Sequence, residues 1–399
     1  FEVKPSGDCW IDINKKGQSK ADSVVFLQKT LSISEEETMV FGDSDNDLSM
    51  FTHAYYSFAM KNADHFIQSK ARFVTQEDND HDGVMKTIQK MIENEDGLLI
   101  NIYRRRYKMK KIGFIGVGIM GKSMVRNLMK AGFELHIYAR TRSKVEDVIS
   151  EGATFHDTIA DCVKDAEAVI TIVGFPTDVE EVYFDAGNIL DSAKEGAYLI
   201  DMTTTSPMLD QKIAEEGTKR GFHVLDAPVT GGDTGAKNGT LSILVGGSRE
   251  DYEACMPLFE AMGTNINYQG GSGCGQHAKL ANQIMIAGTL SGVCEALTYA
   301  KAKGLNLQTV LDSVSTGAAG SKQLDSFGPK ILAGDYAPGF FLKHFVKDMK
   351  IALTEANMSN LNLDVLSQVL ANYELLQAEG CADLGTQALI KYYEEEMDV

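Results

Sequence analysis

Little in this chain suggests a metal or disulfide framework. Its six cysteines, Cys9, Cys162, Cys255, Cys274, Cys294 and Cys381, form no C-x-x-C pair and have no neighbouring histidine cluster at zinc-ligand spacing. Buried free thiols in a reducing compartment are the expectation. No stretch reads as long and apolar enough to span a bilayer, and Phe1 to Lys20 lack the charged-then-apolar layout of a signal peptide, so the cytoplasm is the expected location. Positive charge is also short, with 38 Lys and Arg against 56 Asp and Glu and a formal net charge of −18. Such a field repels a phosphate backbone and an anionic membrane surface, so neither nucleic acid nor membrane is an expected partner. It opposes small anions too. A site for a carboxylate or a dinucleotide must therefore concentrate local cations and backbone N–H groups.

At 399 residues, 44% hydrophobic and 24% charged, the chain has ordinary globular composition and enough length for two or three cores. The polar run Glu93-Asn94-Glu95-Asp96-Gly97 and the basic Arg104-Arg105-Arg106 read as a junction, placed at 97–108. Met109-Lys110-Lys111 then opens an apolar strand and reads as the natural start of an independent protein, which makes residues 1–96 a fused or mis-joined neighbour. From there strands alternate with helices: Ile112–Gly116, Leu135–Ala139, Ala168–Gly174, Ala197–Met202, Phe222–Asp226 and Leu241–Val245 are expected strands. That alternation predicts βαβ units and a mostly parallel sheet over 109–271. Beyond about Gly273 the period changes to 3.6, with helices expected at Ala278–Lys303, Leu307–Val314, Phe345–Met358 and Leu363–Glu379, so 272–399 reads as an all-α domain with an interdomain helix.

Gly116-Val117-Gly118-Ile119-Met120-Gly121 follows a strand and opens a helix, the context that a dinucleotide fingerprint needs. The first glycine permits the turn, the second lets a pyrophosphate approach the backbone, and the third allows close helix–strand packing. A plain glycine turn competes with that account, and what stands about 20 residues on decides between them. There, past the second strand, lie Arg140, Thr141, Arg142 and Lys144, with no acidic residue at the strand end. An acid would hold the ribose 2′-hydroxyl of NAD, whereas arginine suits the 2′-phosphate of NADP. NADP is favoured and NAD is the alternative; solvated cations at a helix start are the competing account.

The fingerprint, continuing through Met124, Asn127-Leu128 and Lys130, resembles the N-terminal signature of the 3-hydroxyisobutyrate dehydrogenase family. Further blocks resemble that family in order: Asp201-Met202-Thr203-Thr204-Thr205-Ser206-Pro207, Asp226-Ala227-Pro228-Val229-Thr230-Gly231-Gly232, Gly273-Cys274-Gly275-Gln276-His277-Ala278-Lys279-Leu280-Ala281-Asn282-Gln283, and Lys347-Asp348. The resemblance runs from Met109 nearly to the end. It implies a Rossmann-type domain followed by a helical domain, hydride transfer on a small hydroxy or semialdehyde carboxylic acid, and a homodimer or homotetramer. It assigns proton transfer to Lys279, the substrate to Asn282, Gln283 and the Thr230-Gly231-Gly232 turn, and the cofactor to Gly116, Gly118, Ile119, Met120, Gly121, Phe175, Pro176, Thr204 and Lys347. The family often has Asn at Gln283 and Ser at Thr230; the first departure resembles 2-hydroxy-3-oxopropionate reductases, and the second keeps the hydroxyl while adding a methyl. Reduction of 2-hydroxy-3-oxopropionate, glyoxylate or succinic semialdehyde is the rival. Taken singly, Lys279 and Lys347 also fit surface cations and Thr230–Gly232 a simple turn. His344 is expected to be structural, and Tyr183 and Phe184 core.

Within 1–96, Gly42-Asp43-Ser44-Asp45-Asn46-Asp47 with an upstream Lys20 resembles the last two motifs of haloacid dehalogenase-like phosphatases of the sugar-phosphatase type. The resemblance implies a partial α/β fold and a vestigial Mg²⁺ site at Asp43 and Asp47. The nucleophilic Asp-x-Asp is absent, so this segment is not expected to work as a phosphatase alone. Two rivals from other classes remain: a phosphatase completed in trans, and a nucleotide-holding module without chemistry, against which Lys279 speaks. No metal is expected in the dehydrogenase part.

Overall fold

In a computed structural model of the chain, described for residues 2–5, 11–14, 19–93 and 109–395, the polypeptide forms two compact units, Phe1–Lys108 and Met109–Val399. The expected junction at 97–108 and Cys9 lie outside the described residues. In the first unit, β1 (Glu2–Pro5) and β2 (Ile11–Asn14) pair antiparallel, while β3 (Met39–Gly42), β4 (Tyr56–Ala59) and β5 (Phe73–Val74) form a parallel sheet with β4 central. Val40, Phe51, Ala59 and Ile67 close a small core of its own, and Phe58 stacks between Phe41 and Phe73.

The second unit opens with a nine-stranded sheet. Its strands are β6 (Lys111–Ile115), β7 (Glu134–Tyr138), β8 (Thr154–Phe155), β9 (Ala168–Thr171), β10 (Tyr198–Asp201), β11 (His223–Asp226), β12 (Val229–Thr230), β13 (Leu241–Gly247) and β14 (Gly263–Gly270). The order is β12-β13-β11-β10-β9-β6-β7-β8, with β14 beside β13, and only the pairings of β13 with β11 and β12 are antiparallel. β9 is buried at every position, as a continuous Ala-Val-Ile-Thr run covered on both faces should be. Proline at the first helical position starts the Pro176–Phe184 and Pro207–Lys219 helices, and Thr158 and Ser248 cap two more through their hydroxyls. The expected Rossmann-type sheet followed by helices is what the chain builds.

Beyond β14 the described elements are helical. Cys274–Ala302 crosses from the sheet into a core of Leu290, Leu297, Phe345, Met349, Val369 and Tyr373, contributed with the Lys322–Leu332, Leu342–Met358 and Asp364–Ala378 helices. This helix corrects one expectation. With 29 residues and a mean hydropathy of 1.2 over 18 of them, it is long and apolar enough to cross a membrane. Its hydrophobicity runs around the helix because it packs against β13 and several helices at once. Five free cysteines are described; Cys162, Cys255 and Cys294 are buried, while Cys274 and Cys381 are only half-buried. Tyr183 is core as expected, its hydroxyl 3.2 Å from that of Thr171, and Phe184 packs against the same cluster.

Candidate active site

The glycine fingerprint forms a cradle with one open side. Gly116 has φ +98°, and a Cβ there would lie 2.1 Å from the Ile172 carbonyl oxygen. Its N–H donates to the Tyr138 carbonyl at 3.4 Å, tying the turn to the end of β7. At Gly121 a Cβ would fall 2.2 Å from the Gly116 oxygen, whereas one at Gly118 would meet nothing within 4 Å. Two glycines are thus required by close backbone approach and the middle one faces open space at the N-terminus of the Ile119–Lys130 helix, with Ile119 exposed and Met120 half-buried beside it. An open backbone at a helix N-terminus fits a pyrophosphate.

Next to the cradle, Arg140 is 60% exposed but already paired: its Nη2 donates to Asp178 Oδ1 at 2.6 Å and to Glu181 Oε2 at 2.9 Å. Arg142 pairs with Glu146 at 3.1 Å and stacks over Phe155, Thr141 precedes the short 142–144 turn, and Lys144 is exposed. The cations were visible in the sequence; their acidic partners were not. Asp178 and Glu181 lie on the Pro176–Phe184 helix about forty residues away, and the sheet order, with β6 between β7 and β9, brings the two segments together. Phe175 donates its N–H to Asp178 Oδ2, and its ring meets His344 edge-on at 5.2 Å, consistent with a packing role for that histidine. Burial and the neighbouring Lys347 and Lys343 hold the His344 pKa below the usual value.

Lys279 stands in the second turn of the Cys274–Ala302 helix and is 6% exposed. Burial pulls its pKa down to about 8, Asp348 acts to raise it, and Lys347 lowers it further. Among the described residues its amine has no hydrogen bond or ion pair. Gln283, one turn on, donates to Asp348 Oδ2 at 2.6 Å, and Asn282 donates to Gln283 Oε1 at 2.9 Å. The extra methylene of Gln283 over the family's Asn lengthens its reach toward Asp348. Lys347 pairs with Asp348 at 3.0 Å and donates to the carbonyl of Thr204, so the helical domain is fastened to the loop after β10. Asp348 is fully buried and received no role from the sequence, although it stands beside Lys347 in a recognised block.

The three strand-end blocks meet at Gln276. Its backbone N–H donates to Asp226 Oδ2 at 2.9 Å, and its side-chain NH₂ donates to Asp210 Oδ2 and to the Thr203 carbonyl, both at 2.7 Å. Its Oε1 accepts the Thr205 N–H at 3.1 Å. Asp226 also accepts the Gly273 N–H at 2.8 Å, so a residue of the sheet caps the helix that carries Lys279. Burial raises the pKa values of Asp201, Asp210 and Asp226, with Asp201 and Asp226 adding to the rise at Asp210. The Thr230-Gly231-Gly232 turn follows Asp226, with Gly231 at φ +129° opening the Gly232–Asn238 helix. Asn127 of the fingerprint helix donates to the Ala236 carbonyl at 2.7 Å and holds that turn near the cradle; no hydrogen bond joins it to Lys279 among the described residues.

In the N-terminal unit, Lys20 Nζ donates to Asp47 Oδ1 at 2.6 Å, and Asp47 Oδ2 accepts the N–H groups of Asp43 and Ser44 at 3.0 and 3.3 Å. Asp47 is therefore engaged by a cation and by backbone. No group of three acidic, His or Cys side chains able to hold a metal occurs among the described residues, so Asp43 and Asp47 do not assemble into a site with a third such ligand.

Three stretches of the chain match families of known proteins. Residues 111–271 match the NAD-binding domain of 6-phosphogluconate dehydrogenase, residues 273–393 the NAD-binding domain of NADP-dependent 3-hydroxyisobutyrate dehydrogenase, and residues 1–88 the haloacid dehalogenase-like hydrolases. The probable 3-hydroxyisobutyrate dehydrogenase-like 1, mitochondrial, of Arabidopsis thaliana is 45% identical over 281 residues, 70% of this chain and 84% of that protein. The 2-hydroxy-3-oxopropionate reductase of Escherichia coli (strain K12) is 34% identical over 284 residues, 71% of this chain and 97% of that one. A solved structure of Mycobacterium tuberculosis 3-hydroxyisobutyrate dehydrogenase with L-serine superposes with a TM-score of 0.65 at 26% identity, covering 71% of this chain and 98% of that one.

Proposed function

Since this chain belongs, through the unit that begins at Met109, to the 3-hydroxyisobutyrate dehydrogenase family of NAD(P)-dependent oxidoreductases, we propose that it interconverts a small hydroxy acid and its semialdehyde or keto form, with NADP preferred over NAD. One observation carries this: the buried, unpaired Lys279 amine, with a pKa near 8, on a helix seated against the cofactor-binding sheet. A nicotinamide dinucleotide held at the Gly116–Gly121 cradle would supply or accept the hydride. Lys279 Nζ holds the accompanying proton, giving it to the substrate oxygen as that oxygen gains charge in reduction and taking it back in oxidation. Asn282, whose NH₂ is turned toward Gln283, keeps its carbonyl oxygen as an acceptor for the substrate hydroxyl or the Lys279 amine. The Thr230 hydroxyl and the N–H groups of Gly231 and Gly232 receive the carboxylate, which a chain of net charge −18 must otherwise repel. Lys347, fastened to Thr204, holds the helical domain over the cofactor end of the cleft.

The preference for NADP is supported by Arg140, Arg142 and Lys144 beyond β7 and by the lack of an acidic residue at that strand's end. A second substrate, 2-hydroxy-3-oxopropionate, is favoured by Gln283 standing where the family often has Asn. The test is a panel: oxidation of 3-hydroxyisobutyrate, and reduction of 2-hydroxy-3-oxopropionate, glyoxylate and succinic semialdehyde, each with both cofactors. Turnover of at least one acid, faster with NADPH than with NADH, is expected. If no small acid on the panel reacts, the substrate class is wrong.

A further inference from the structure

We propose that Asp178 and Glu181 set the cofactor preference of this enzyme by partly neutralising Arg140, so that the site discriminates NADP from NAD only weakly. This rests on the reading of Arg140 as the partner of the 2′-phosphate. The residue types after β7 suggest a strongly cationic loop. The pairing removes that surplus: Arg140, Arg142 and Lys144 stand against Asp178, Glu181 and Glu146, three charges of each sign. Both carboxylates use the same nitrogen, Nη2, and among the described residues Nε and Nη1 of Arg140 have no partner, so a phosphate approaching them meets a guanidinium already flanked by two anions.

The two acids differ in how firmly they are held. Asp178 is 17% exposed and fixed by a second bond, its Oδ2 accepting the Phe175 N–H at 2.9 Å. Glu181 is 51% exposed and its carboxylate contacts Arg140 alone among the described residues, which makes it the removable half of the clamp. A 2′-phosphate carries one to two negative charges near neutral pH, while NAD has a neutral hydroxyl there. Each carboxylate therefore penalises NADP and leaves NAD almost untouched. The pyrophosphate, common to both, cancels from the ratio.

The experiment is isothermal titration of the whole chain with NADP⁺, NAD⁺ and the fragment 2′,5′-ADP, which needs no substrate or turnover. Glu181→Gln is expected to tighten NADP⁺ and 2′,5′-ADP about two- to fivefold, the range of an exposed ion pair, and to leave NAD⁺ unchanged. Adding Asp178→Asn should widen the ratio, and about 1 M salt should shrink the gain. Unchanged or weaker NADP⁺ binding by Glu181→Gln overturns the inference, the weaker case meaning that the carboxylates hold Arg140 in a productive pose. Arg140→Ala separates this from the parent reading. If that variant leaves the NADP⁺ to NAD⁺ ratio as it was, Arg140 is not the phosphate partner; if it lowers the ratio while Glu181→Gln does not raise it, only the role of the carboxylates fails.

Discussion

Burial takes hydration from the Lys279 ammonium, and Asp348 restores only part of what is lost, leaving the amine able to load and release a proton close to neutral pH. The sign of the pH dependence follows. Reduction uses the ammonium form, so its rate should fall as pH rises through about 8; oxidation uses the free amine and should rise through the same range. Lys279→Ala is expected to lower turnover about 10²- to 10⁴-fold in both directions while cofactor binding, followed by fluorescence, stays nearly intact. Lys279→Arg should fail as well, because a guanidinium keeps its proton. Recovery of most activity in the arginine variant would mean that positive charge alone is what the site requires. The sequence identified this lysine through its flanking block. It did not reveal the burial or the Asp348 neighbour, because both depend on a helix that packs from more than sixty residues away.

At the scale of elements, β11, the Pro207–Lys219 helix and the long helix are joined by buried acids that share Gln276. Asp210 and Asp201 have folded pKa values raised above the ordinary carboxylate value, chiefly by burial. A raised carboxyl keeps its proton in the fold at pH values where the unfolded chain has released it. Its stabilising contribution is therefore complete below about pH 4 and is lost as pH rises through the folded value. Asp210→Asn places a permanently uncharged group there and should flatten the decline of the thermal midpoint between acidic and neutral pH. Parallel melting profiles for the variant and the parent protein, measured by scanning calorimetry from pH 5 to 8, would exclude that account. The strands and helices that periodicity could reach were legible. Among those missed were β8 and β12, two residues each; β14, polar along one face and ordered by pairing with β13; the short Ile159–Val163, Ile189–Ser192 and Ile390–Glu395 helices; the glycine-bearing Gly232–Asn238 helix; and Lys322–Leu332, which carries Gly328-Pro329 inside it. Short or breaker-rich segments leave no repeat to count, and tertiary pairing decides them.

For the whole molecule, each unit closes a core of its own residues, and the N–H of Lys111 at the start of β6 is held by Glu167 at 3.1 Å within the same unit. A chain beginning at Met109 is therefore expected to fold and to retain full dehydrogenase activity, and an insoluble or inactive product would show that the first hundred residues contribute. Both units were legible as separate resemblances, because each carries motifs in family order. The clamp on Arg140 and the meeting point at Gln276 were not, since a linear pattern shows cations and amides without their partners. The Asp226 cap has one further consequence. It anchors the start of the lysine-bearing helix in the nucleotide-binding half, whereas Lys347 and Asp348, whose charges act on Lys279, come from the Leu342–Met358 helix after Ala302. The lysine and the carboxylate that raises its pKa are thus inherited from different stretches of sequence. A graft that exchanged residues 303–395 while retaining Lys347 and Asp348 would therefore keep the cradle, the cap and the lysine in one inherited block, apart from the carboxylate that acts on it.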